Sequence, residues 1–137
     1  MKNNLQMDRR SLVAKLGLAV AAAGLSAPPA AHAAQTVTLP KGAVTVVASV
    51  RARGGKEAEL IRLTEALVPK VRQEAGNLLC QAHQGLEEPG LLVFYEIFES
   101  AAAFEAHKAA PHTKQWSVDI QSLAAGPVEV KLFEALA

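Results

Sequence analysis

The whole chain of 137 residues holds one cysteine, Cys80. No disulfide can close within it, even in an oxidising compartment, and a thiolate metal site has little to build on. No block of basic residues occurs, which argues against nucleic acid as a partner. The apolar run near the start, Leu16 to Leu25, is too short and too rich in Ala and Gly to span a bilayer as a stable helix. No Gly-x-Gly-x-x-Gly fingerprint follows any predicted strand, so a dinucleotide cofactor is not supported. The one glycine pair before a predicted helix, in "RGGKEAE", has Glu57 after Lys56 where a P-loop needs Ser or Thr. It reads as a plain strand-to-helix turn.

What is present begins with an export pattern. Lys2, Arg9 and Arg10 precede the apolar run, Pro28 and Pro29 break it, and Ala31-His32-Ala33 supplies small residues at a cut. That order predicts a signal peptide over residues 1–33. Arg9 and Arg10, followed by Ser11, Leu12 and Val13, resemble a twin-arginine export signal. A Sec-type signal and an uncleaved anchor are the alternatives. Cleavage after Ala33 predicts an exported protein, periplasmic or secreted, with no membrane segment left. The 104 residues that remain make a linker over 34–42 and one domain over 43–137. Without Lys2, Arg9, Arg10 and Lys15 ten basic residues are left, and without Asp8 twelve acidic ones, a net charge near −2.

"AVTVVASVRA" is β-branched and predicts a first strand. Leu60, Leu63, Leu67 and Val71 recur at helical spacing, with a kink or break expected near Val68 before Pro69 and an end at Gly76. "NLLCQAHQG" and "LLVFYEIFE" predict two more strands, joined through "LEEPG". Ser100 caps a predicted helix "AAAFEAHKAA", and Pro111 starts the next, "PHTKQWSVDIQSLA". "PVEVKLFEA" closes the chain as a strand. The order is βαββαβ, a ferredoxin-like α+β fold. Both faces of the third strand are largely apolar, while helices can cover only one face of so small a sheet. A second copy is the economical cover, so a homodimer is expected.

His107 and His112 are five apart and on one continuous helix would point about 140° from each other. Such spacing does not suit a zinc site, and no metal is expected. His112, beside Pro111, reads as a helix-start residue with a partly wet ring. His107 lies three residues after Phe104, so both share a helix face turned inward. It is either a structural buried histidine or an imidazole at a pocket wall, able to accept a proton near neutral pH. Glu96, between Phe94 and Phe98 on one strand face, is costly to bury unpaired. His107 is one candidate partner; Arg72 or Lys70 is the structural alternative.

Four pieces of sequence, Glu74-Ala75-Gly76, Glu96-Ile97-Phe98, Ala103 to His107 and Ala110-Pro111-His112-Thr113, stand in order on this frame. Together they resemble the antibiotic-biosynthesis monooxygenase domain, from about Val44 to Leu132. The resemblance implies a homodimeric α/β barrel and oxygenation by O2 of a small electron-rich phenol, quinol or anthrone, with no cofactor. It implies His107 as base or as the base's hydrogen-bonding partner, with Glu96 orienting it. Phe94, Phe98, Phe104, His112 and Trp116 are the candidate substrate contacts, though the aromatic ones are equally ordinary core. The competing readings are a secreted dimer that only binds an aromatic compound, and an isomerase or haem-degrading relative on the same fold.

Overall fold

The structure, a computed structural model, describes residues 37–136. The expected export signal and its cleavage site lie outside the described residues. The elements are β1 (Val44–Arg51), α1 (Glu57–Val71), β2 (Asn77–Gln84), β3 (Leu91–Phe98), α2 (Ala101–Ala109), α3 (Pro111–Asp119), a 3-10 turn (Ile120–Ser122) and β4 (Glu129–Glu134). The sheet order is β2-β3-β1-β4, every neighbouring pair antiparallel. This is the expected ferredoxin-like α+β fold. The sheet of one chain is open, with β2 and β4 as its edges. A barrel would need a second copy.

Period-2 alternation decides what each strand buries. Val46, Ala48 and Val50 of β1 stand beside Glu96, Phe94 and Leu92 of β3, and all six are buried under the helices. Leu60, Leu67, Val68 and Val71 of α1 press onto that face, and Phe104, Trp116 and Ile120 close it from the other side. The opposite face carries Thr45, Val47, Val93, Tyr95 and Ile97. Ile97 and Thr45 are buried there, while Tyr95 is exposed.

The expected break before Pro69 does not occur. α1 runs through Pro69 to Val71 because the proline sits in the last turn, where it removes a single donor. Arg72 N–H still reaches the Val68 carbonyl at 3.0 Å, and the burial of Leu67, Val68 and Val71 holds the turn to the sheet. Gly76 does not end the helix either. It lies beyond it, in the turn into β2, with φ +81°.

Ser100 caps α2 as expected, its hydroxyl accepting from Ala103 N–H at 3.1 Å. α2 and α3 are separate helices. Ala110 between them is extended (φ −60°, ψ 139°), the conformation that a following proline imposes. That one residue redirects α3, and the site depends on it.

Candidate active site

Three short pieces of chain bring the titratable groups together. Glu74 stands in the turn after α1, held by its own N–H on the Val71 carbonyl at 3.0 Å. The left-handed Gly76 then turns the chain into β2, and its carbonyl receives Glu99 N–H at 2.8 Å. His107 lies in the last turn of α2, and His112 is the second residue of α3. Because the chain bends at Ala110, the two imidazoles do not diverge. They converge on Glu74.

His107 Nδ1 lies 3.0 and 2.9 Å from the two Glu74 oxygens, and His112 Nε2 lies 2.5 Å from Oε1. A carboxylate only accepts, so each histidine presents an N–H to it. For His107 this fixes the tautomer: Nδ1 carries the hydrogen and Nε2 is the basic nitrogen. The ring is 8% exposed, 4.9 Å from the Phe98 ring and nearly parallel to Phe104 at 6.1 Å.

Glu96 is 5% exposed and does not bond to His107. Its partner is the Cys80 thiol across β2 and β3, which donates to Oε1 at 3.4 Å. Burial raises the Glu96 carboxyl above the usual glutamate range, the nearby His107 working against that shift. Burial beside Glu96 pushes the Cys80 thiol up to about 12, which leaves it un-ionised and a poor nucleophile. Arg72, a candidate partner of Glu96, is instead tied to β2, its Nε donating to the Cys80 carbonyl at 2.9 Å.

Both Glu96 and His107 line a cavity of about 250 Å³ between the sheet and the helices. Its other walls include Ala48, Leu67, Phe94, Phe104, Trp116 and Val130. Phe94 and Trp116 meet edge to face at 5.4 Å. The cavity is thus a largely apolar, ring-lined space with His107, the buried Glu96 carboxyl, Lys108, Thr113 and Ser117 as the polar residues of its wall. Among the described residues no group of three or more His, Cys, Asp or Glu is arranged to hold a metal ion.

The profile of the antibiotic biosynthesis monooxygenase family matches residues 43–118, more than half of the chain. The chain belongs to that family. Solved structures agree on the fold. The Pseudomonas aeruginosa protein PA3566 is 28% identical, with a TM-score of 0.68 over 73% of this chain and 100% of that one. A structure described as an antibiotic biosynthesis monooxygenase is 26% identical, with a TM-score of 0.65 over 69% of this chain and 99% of that one. An uncharacterised Synechocystis protein, sll1783, is 22% identical over 93% of this chain and 90% of its own length.

In this monooxygenase-family chain the sequence-predicted residues divide. His107, Glu96, Phe94, Phe104 and Trp116 meet around the cavity. Phe98 does not reach it; fully buried, it backs the His107 ring instead. His112 faces a neighbouring hollow with Leu63, Lys70 and Gln115 and is linked to the cavity wall through Glu74 and then His107. Its ring is partly wet, as expected at a helix start, but its partner is a carboxylate rather than solvent alone. Glu74 is the residue that sequence reasoning left without a role. One inward histidine, His107, and an acid two residues before Gly76 were visible; that the turn would aim the acid at both His107 and His112 was not.

Proposed function

We propose that this protein oxygenates a small electron-rich phenol or quinol with dioxygen, drawing all the electrons from the substrate. The observation that carries the reading is His107, its Nδ1 held by Glu74, standing at the wall of an apolar cavity. Nε2 of His107 takes the proton of the ligand's hydroxyl, and Glu74 steadies the imidazolium that forms. The dry walls leave the resulting anion poorly solvated and electron-rich, ready to pass an electron to dioxygen. For a phenol with a free para position, one O2 gives a quinone and one water. One oxygen atom enters the ring, and the other leaves with the two hydrogens that the substrate loses. No external reductant enters this balance.

Glu96 has a different task from the one its sequence position suggested. Buried at the cavity wall, with its carboxyl raised above the usual glutamate range by that burial, it meets an oxygen of the ligand rather than orienting His107. The cavity, at about 250 Å³, falls below the roughly 300–1,000 Å³ of drug-sized sites. That favours one or two rings over a three-ring anthrone. The family membership and the 26%-identical structure described as a monooxygenase support the reaction class.

The working form is proposed to be an exported homodimer. The signal-like residues 1–33 support the export. β4 supports the dimer: Val130, Leu132 and Phe133 are 51%, 55% and 51% exposed on an edge strand that has no charge facing outward between them except Lys131. Oxygen-electrode measurements with a panel of one- and two-ring phenols and quinols test the reading. Protein-dependent uptake, with a product that has exchanged two hydrogens for one oxygen, is expected. Tight binding without uptake would make the cavity a carrier's.

A further inference from the structure

Glu96 has two oxygens, and the fold takes up only one of them. The Cys80 thiol donates to Oε1 at 3.4 Å. The sheet sets this pair: Cys80 and Glu96 are direct antiparallel partners on β2 and β3, so both side chains leave the sheet on the same face. Cys80 is 1% exposed within the core, which fixes the place of its donor. Pushed up to about 12 by burial and then by Glu96, the thiol keeps its hydrogen at neutral pH.

Oε2 has no hydrogen-bond partner among the described residues, and it is not one of the shielded atoms left without a partner there, Thr64 Oγ1, Thr113 Oγ1 and Trp116 Nε1. An oxygen that is neither paired nor fully shielded keeps surface of its own, and the space that Glu96 lines is the cavity. The division holds in both protonation states. A carboxylate accepts from the thiol through Oε1 and from an entering hydroxyl through Oε2. A carboxylic acid accepts through its carbonyl oxygen, Oε1, and carries its hydrogen on Oε2.

We infer that Cys80 is a positioning residue of the cavity: its S–H occupies Glu96 Oε1 and leaves Oε2 to meet the ligand's oxygen. This rests on the proposal that Glu96 contacts the ligand. The terminal torsion of a glutamate is broad and roughly two-fold, so without the thiol nothing settles which oxygen faces the cavity or in what plane. The chain's single cysteine thereby gains a use that needs no metal, disulfide or thiolate.

Infrared spectroscopy reads the thiol directly, because the S–H stretch falls where other protein groups do not absorb and Cys80 is the only cysteine. In the wild type the band is expected at a hydrogen-bonded position. It should move to higher wavenumber in Glu96→Met, which removes the acceptor at similar volume. With 1-naphthol bound under nitrogen, so that no oxygen is consumed, the carboxyl band that Glu96→Gln removes should shift while the S–H band stays in place. By calorimetry Cys80→Ala is expected to bind 1-naphthol roughly three- to tenfold more weakly, the span of one hydrogen bond. Cys80→Ser, which returns a donor, should recover most of that loss. An S–H band indifferent to Glu96→Met, an S–H band displaced when 1-naphthol binds, or equal affinities in wild type and Cys80→Ala would overturn the inference. The first two of these are decided even if Cys80→Ala does not fold. In each case a 1-naphthol affinity that still falls in Glu96→Gln leaves Glu96 as a ligand contact. No binding of 1-naphthol by the folded wild type would overturn both.

Discussion

Glu74 accepts from two histidines at once, and this shared carboxylate decides which of them is free to act. His112 spends its Nε2 on Glu74, away from the cavity, whereas His107 spends Nδ1 and keeps Nε2. Glu74→Gln should therefore lower turnover by about tenfold or more, since an amide orients the ring but cannot stabilise an imidazolium. His112→Ala should cost less than about threefold, because it removes a neighbour of the base rather than the base. Steady-state rates on one accepted phenol check both, and the reverse ranking would misplace the base. Glu96 allows a separate test on stability. Its folded-state titration is raised above that of the unfolded chain, so its contribution is fully present at low pH and is lost as pH rises through the raised value. Glu96→Gln should consequently melt higher than wild type at neutral pH, and the gap should narrow as pH falls toward the ordinary glutamate range. A variant that melts lower at neutral pH, with the same pH dependence, would contradict this.

The elements position these groups through two hinge residues, Gly76 and Ala110. A Cβ at Gly76 would meet the Ala103 Cβ at 2.6 Å, and the residue also holds φ +81°. Neither the backbone nor the short Ala103 side chain can yield cheaply. Gly76→Ala is expected to cost about 1–3 kcal/mol, a drop in Tm of roughly 4 °C or more for a domain of this size. Scanning calorimetry checks it, and an unchanged Tm would mean that the turn can re-form. These hinges also mark the limit of what the sequence disclosed. Hydrophobic periodicity and β-branched runs located every strand and helix, because burial on one face is a local pattern. Proline and glycine were visible as breakers, but their effect depends on place: Pro69 is harmless in a last turn, while Pro111 swings a whole helix through Ala110. The inward turn of His107 followed from Phe104, a neighbour on its own helix. The pairing of Glu74 with His107 joins residues 33 apart, and the Cys80 thiol reaches Glu96 across two strands. Such contacts are set by tertiary packing, so the acid assigned to each partner could not be read from spacing.

For the whole molecule, the helices cover one face of a four-stranded sheet and leave Val47, Val93, Tyr95 and Phe133 on the other, while Val130 and Leu132 stand on the helix side of the β4 edge. Exposed apolar area of this kind marks an interaction surface. The mature chain is expected to be a homodimer at micromolar concentration by light scattering; a stable monomer would leave the proposed assembly without support. The cavity lies on the helix side of the sheet and shares Val130 with the exposed β4 edge, so its chemistry is best measured together with the assembly state. His107 is proposed as the base of an oxygen-consuming site. Dioxygen uptake by wild type and His107→Ala, on one accepted phenol and with both proteins shown folded, addresses it most directly. A fall of roughly 10²–10⁴-fold is predicted, and full uptake by the variant would make His107 a core residue.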